Sequence, residues 1–261
     1  MASLLRPSNL APALQPLTRW LHVPVRHDHL LLLSHMRSYS SLLAQLLGGA
    51  PEVEGYGETQ LRYRTPLDLW RLRHTIRRAT GQPLRGRWLL DKVLHNRIHP
   101  IERWVKAERV RAIIFLRQPG ETLRSLLTLA DSHGGGEPLS DPQKCCDYYV
   151  SRLHRLRQDG ERLGERALYF DAEQLPAQPQ AVLAAVGAWL GLAQTPSLSY
   201  RPGRRTGEDG FGDPSPRIRS GRVLSPEPLR SPRALDPAIE AEAEAAYRRC
   251  RDALLRHSHR L

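Results

Sequence analysis

The chain has 261 residues, 40% hydrophobic and 25% charged, with a formal net charge of +12. Those proportions suit a folded globular domain and exclude a disordered or collagen-like chain. No apolar run reaches the roughly 18–20 residues that a membrane-spanning helix needs. Arginine supplies 36 of the 39 basic residues, the lysines being only Lys92, Lys106 and Lys144. Arginine suits bidentate binding of phosphate or sulfate, but beside abundant Ala, Leu and Pro the excess also reads as base-composition bias. Aromatic residues make up only 6% of the chain and arginine is spread along it, so no nucleic-acid partner is expected. Three cysteines, two of them adjacent (Cys145, Cys146, Cys250), form neither a disulfide framework nor a CxxC metal site. With no signal-peptide pattern at the start, a cytoplasmic location is the default expectation.

Residues 1–27 read as an N-terminal extension and 28–261 as one α/β domain. Leu30–Leu33 is a short continuous apolar run, as expected of a strand buried on both faces. A polar turn, Ser34–Ser41, leads into a helix through Leu42, Leu43, Leu46 and Leu47, ended by Gly48-Gly49 and Pro51. An Arg-rich amphipathic helix follows over 67–79, then a strand at 88–90 running into Asp91-Lys92. The next strand is 112–116, followed by Arg117-Gln118-Pro119 and a helix over about 120–130. A long helix starts at Asp141 or Pro142 and ends near Gly164. The strand 167–170 precedes an apolar helix over 181–190. Residues 195–232, rich in Gly, Pro, Ser and Arg, read as irregular. A last helix spans about 237–256, with Asp236 as N-cap and Pro237 at its first position. This alternation implies a parallel sheet covered on both faces.

Two turns carry the chemistry. At the first, Arg37, Ser38, Tyr39, Ser40 and Ser41 stand where a helix begins, and free backbone N–H groups there favour an anion. An ordinary capped helix start is the competing reading. No Gly-Lys-Ser/Thr is present, which argues against a magnesium–nucleoside triphosphate site and so against a small-molecule kinase. At the second turn, Arg117 ends a strand and Ser125 lies eight positions on, able to clamp a second phosphate where open α/β sheets bind ligands. A surface Arg–carboxylate pair is the plainer alternative.

In this order the two turns resemble the 3′-phosphoadenosine-5′-phosphosulfate (PAPS)-dependent sulfotransferases. The resemblance implies a P-loop-type α/β fold, with the first loop on the 5′-phosphosulfate and Arg117 and Ser125 on the 3′-phosphate. It extends over Ala167–Leu192 and brings Tyr169 toward the adenine. The pattern of tyrosylprotein and related bacterial sulfotransferases is matched by Pro51-Glu52-Val53-Glu54-Gly55-Tyr56-Gly57-Glu58, implying Glu58 as the base, 21 positions after Arg37. The same resemblance puts Lys92 on the donor's bridging oxygen, although an Asp91–Lys92 pair is also conceivable from the sequence. His95 is the alternative base. Arg219, in a loosely matched late basic loop, is assigned to the donor. No metal is implied, and the acceptor is a hydroxyl-bearing molecule. Many relatives of this pattern have Gly where Tyr39 stands. A Cβ there disfavours positive φ, so the loop is expected to keep an ordinary conformation, or Tyr39 to meet the ligand itself.

Overall fold

The computed structural model describes residues 27–81, 84, 86–99, 109–132, 138–203, 205–206, 213, 215–225 and 234–261. Lys106 and most of the N-terminal extension lie outside them. His27, placed with that extension, is buried and its Nδ1 lies 2.7 Å from the Gly86 carbonyl.

Among the described residues, six parallel strands form one sheet: β1 (Asp28–Leu33), β2 (Val53–Glu54), β3 (Trp88–Val93), β4 (Val110–Leu116), β5 (Ala167–Asp171) and β6 (His259–Arg260). Their spatial order is β2-β3-β1-β4-β5-β6. The helices are α1 (Ser40–Leu47), α2 (Pro66–Thr80), α3 (Pro119–Ser132), α4 (Pro142–Leu163), α5 (Gln174–Ala177), α6 (Pro179–Leu190) and α7 (Pro237–His257).

The central strands are mostly apolar because both faces are covered. Leu30 and Leu32 belong to one core with residues of α1 and α6, while Leu31 and Leu33 join the opposite core with residues of α2, α3, α4 and α7. Local sequence fixes the helix ends. Asp141 accepts the Gln143 N–H at 2.8 Å and Asp236 accepts the Ala238 N–H at 2.7 Å, each just before a first-turn proline. Gly191, in the left-handed region, closes α6.

The sequence reading missed β2 and β6, each two residues long, too short to show an alternating pattern. Topology then locates the site. From β1 the chain builds toward β3 on one side and returns to β4 on the other, so β1 and β4 flank a switch point. Crevices at the carboxyl ends of such strands are where open α/β sheets take ligands.

Candidate functional site

The turn after β1 and the turn after β4 meet at this crevice, and they are bonded to each other. The Ser34 hydroxyl donates to the Phe115 carbonyl at 2.5 Å, and the Arg117 guanidinium donates to the Arg37 carbonyl at 3.0 Å. His35 is fully buried between them: Nδ1–H donates to the Met36 carbonyl at 2.8 Å and Nε2 accepts the Arg117 N–H at 3.0 Å. Burial pushes the His35 pKa down to about 3, opposed by the bond to the Met36 carbonyl, so the ring is neutral with its proton on Nδ1. From α4, Tyr148 accepts the Met36 N–H at 2.8 Å and Tyr149 donates to the Arg117 carbonyl at 2.7 Å. The fully buried Arg152 donates to the carbonyls of Ser34 (2.7 Å) and Val93 (2.6 Å).

That scaffold explains a departure from expectation. The loop does not keep an ordinary conformation: Arg37 and Tyr39 both adopt left-handed backbone, at φ 64 and 65°. Such a conformation costs a residue with a Cβ about 1–2 kcal/mol and persists only where the surroundings enforce it. Tyr39 also gains a partner, since the Arg117 guanidinium lies 4.7 Å from the centre of its ring.

Nor is the turn an ordinary cap. Ser38 turns its hydroxyl back to the His35 carbonyl at 2.7 Å, and Tyr39, at the N-cap position of α1, makes no side-chain capping bond. The first N–H groups of α1 and its dipole are left to whatever anion arrives. Cationic and hydroxyl groups converge on that end. Arg37 Nε donates to Ser125 at 2.9 Å, and Lys92 Nζ donates to Ser41 at 2.7 Å. Ser125, expected to share a phosphate with Arg117, is here bonded to Arg37. Carboxylates lie beside both arginines: Asp213 is 3.6 Å from Arg37 and Glu121 is 3.1 Å from Arg117.

On the β3 side, Lys92 is almost fully buried and its Nζ lies 3.2 Å from Glu58 Oε1. It pairs with Glu58 across the loop, not with its neighbour Asp91. Gln60 donates to the other Glu58 oxygen at 2.8 Å. The two remaining acids of the run have structural partners: Glu52 accepts the Ala193 N–H and Glu54 the Gly86 N–H, both at 2.8 Å. His95 is half-buried, its ring centre 5.9 Å from that of Tyr148. Burial lowers its pKa, and the Glu58 charge acts against that shift, which puts both candidate bases in one neighbourhood.

Two assigned residues are not brought to this cluster. Tyr169 is buried in the core under α4 and α7, and its hydroxyl donates to Asp171 at 2.6 Å. It presents no exposed face to an adenine, because its place on β5 points it at the helices. Arg219 is exposed on a 3₁₀ turn, and it is Arg217, two residues earlier, whose charge acts on Tyr39. Sequence reasoning overlooked His35, Tyr148, Tyr149 and Arg152. For the α4 residues a signal existed, since Tyr149 and Arg152 lie at helical spacing with Cys145, Leu153 and Leu156 on a buried face. Nothing local marks His35.

No family profile and no curated protein matches the chain. Among solved structures, it is similar to the sulfotransferase domain of the Synechococcus PCC 7002 olefin synthase, with a TM-score of 0.56 and 18% identity, over 84% of this chain and 93% of that one. The chain has the sulfotransferase fold. The sulfotransferase domain of the curacin biosynthetic pathway gives a TM-score of 0.53 at 16% identity, over 86% and 97% of the two chains. The sulfotransferase of Alicyclobacillus acidocaldarius gives 0.52 at 13%, over 88% and 95%. At these identities the sulfotransferase fold is shared while most side chains differ, so the chemistry rests on the cluster itself.

Proposed function

We propose that the protein transfers a sulfuryl group from PAPS to an acceptor hydroxyl. The observation that carries this reading is the buried Lys92, bonded at once to Ser41 of α1 and to Glu58. It joins a cationic anion cradle to a carboxylate that can take a proton. Fold similarity to three sulfotransferases and the resemblance of the two turns to the PAPS pattern support it.

The cradle fits a donor bearing two phosphorylated ends. The uncapped start of α1 with Arg37 and Ser41 would hold the 5′-phosphosulfate, and Arg117 with Ser125 the 3′-phosphate. The acceptor oxygen attacks sulfur in line with the departing phosphate oxygen, the S–O bond to that oxygen breaks, and Glu58 takes the hydroxyl proton. Lys92 and Arg37 stabilise the charge left on the phosphate. As in phosphoryl transfer, positioning and electrostatics supply most of the rate, and the base contributes about 10²–10⁴-fold.

Replacing Glu58 by Gln keeps the shape and the contact with Lys92 but removes the base. Turnover should drop by about 10²-fold or more, with affinity for 3′-phosphoadenosine 5′-phosphate nearly unchanged. Wild-type turnover in Glu58→Gln would move the base to His95.

A further inference from the structure

On β3, Asp91 and Lys92 are neighbours and so point to opposite faces of the sheet. On the loop that crosses the end of β3, Glu58 and Thr59 are neighbours too. Glu58 goes to Lys92, and Thr59 goes to Asp91. Asp91 is 1% exposed, and its carboxylate is filled by four donors. Oδ1 accepts the Thr59 N–H and the Lys92 N–H, both at 2.9 Å; Oδ2 accepts the Thr59 hydroxyl at 2.7 Å and the Tyr63 hydroxyl. The Lys92 N–H also reaches the Gly57 carbonyl at 3.3 Å. Directly after Thr59 the backbone turns through a left-handed residue, Gln60, at φ 58°. A strained turn of this kind keeps its shape only while its neighbours hold it.

We propose that Asp91 is a positioning residue, pinning the Glu58–Thr59 turn to β3 so that the Glu58 carboxylate meets Lys92 and the acceptor hydroxyl at one fixed place. The proposal rests on the sulfuryl-transfer reading and adds to it a second carboxylate that touches no substrate. A full set of donors is what an immobile carboxylate needs, and a misplacement of about 1 Å in a reacting group can cost 10²-fold in rate. The titratable groups facing Asp91 are Tyr63 and Glu58 from the loop; Lys92, next on its own strand, points to the other face, and β1 offers Leu31 in register. Burial lifts the Asp91 pKa to about 6, the bonds from Tyr63 and Thr59 opposing it and the Glu58 charge adding to it.

The test uses the full chain and water as acceptor, reading sulfate release from PAPS between pH 5 and 8. Calorimetry with 3′-phosphoadenosine 5′-phosphate runs alongside. Asp91→Asn and Thr59→Val should each lower kcat about 10- to 100-fold, with nucleotide affinity within about twofold. Thr59→Ser, which keeps the hydroxyl, should restore most of the rate. In Asp91→Asn the acidic limb of kcat should move to lower pH, because a titrating carboxylate and a negative charge beside the reacting one are both gone. Scaffolding alone would lower kcat and nucleotide affinity together, leave the limb in place and gain nothing from Thr59→Ser; that result overturns the proposal. If Asp91→Asn does not fold, the two Thr59 variants decide. A wild type that binds no nucleotide and releases no sulfate removes the sulfuryl-transfer reading itself. An active, nucleotide-binding wild type matched in rate by Thr59→Val removes only the role of Asp91.

Discussion

Two polar clusters stand at the carboxyl edge of the same sheet, and what each leaves open to a ligand separates them. After β5, Asp171 accepts both arms of Arg251 (2.8 and 2.7 Å) and the hydroxyls of Tyr169 and Tyr247 (2.6 and 3.3 Å). Burial acts to raise its pKa, and Arg251 with the tyrosines overcomes that, so its carboxyl stays below the usual range. One anion meets one cation, and the cluster is complete. After β1 and β4, by contrast, Arg37, Arg117 and Lys92, each beside one carboxylate (Asp213, Glu121 and Glu58), gather around an uncapped helix start. A structural cluster satisfies its own groups, whereas this site leaves the start of α1 without a side-chain cap, on a turn held in place by neutral neighbours such as His35. If so, damage at one cluster should register as lost stability and at the other as lost affinity.

The largest effect expected is at the residue that braces the ligand site from beneath. Arg152→Met strands the Ser34 and Val93 carbonyls and leaves the buried Asp159 with less positive charge nearby. Removing one member of such a buried set costs about 3–5 kcal/mol, and both Tm and nucleotide affinity should fall. Unchanged affinity in a destabilised Arg152→Met would show that the cradle does not need its brace.

Acid should come next. The folded-state pKa of His35, about 3, lies below the roughly 6.5 of an unfolded histidine. The unfolded chain therefore binds the proton first, and stability present above pH 6.5 is lost as pH falls toward 3. For one proton the slope is at most about 1.4 kcal/mol per pH unit, or roughly 2 kcal/mol by pH 5. His29, buried and lowered to about 4, adds in the same direction, while Asp91, raised to about 6, acts oppositely between about 3.9 and 6. Denaturant titrations at pH 7 and 5 should show this loss, reduced in His35→Asn. An unreduced loss in that variant would move the acid sensitivity elsewhere.

The smallest effect belongs to the self-contained cluster. Asp171→Asn should cost about 1–2 kcal/mol, since Asp171 and Arg251 are both partly exposed, and lower Tm by roughly 2–8 °C. Nucleotide affinity should not change. A drop there would erase the distinction between the clusters.

The central strands, the long helices and both turns were legible because each writes its signal locally. Leu30–Leu33 is a run that only a doubly covered strand tolerates, and Asp141-Pro142 and Asp236-Pro237 spell out helix starts. Arg37 and Ser125 were read in their right local places, after a strand and within a helix, whereas Lys92 was read as following β3 and lies within it. What could not be read was partnership. That Arg37 rather than Arg117 reaches Ser125 is settled by side-chain direction across two turns 88 residues apart. The placing of Tyr169 was misjudged because alternation along β5 says which residues share a face but not which face meets the crevice. Tyr39 was expected to disfavour a left-handed turn, and the cross-links from His35, Tyr148 and Arg152 that enforce it come from the rest of the fold.

The cluster at the uncapped start of α1 is proposed to take a 3′-phosphorylated nucleotide. Calorimetric titration with 3′-phosphoadenosine 5′-phosphate and with ADP in the absence of magnesium, on wild type and on Arg117→Ala, tests it most directly. The account predicts tight binding of the 3′-phosphorylated nucleotide, weak binding of ADP, and about a 10- to 100-fold loss in Arg117→Ala. Equal affinity for the two nucleotides, or wild-type binding in Arg117→Ala, would contradict it.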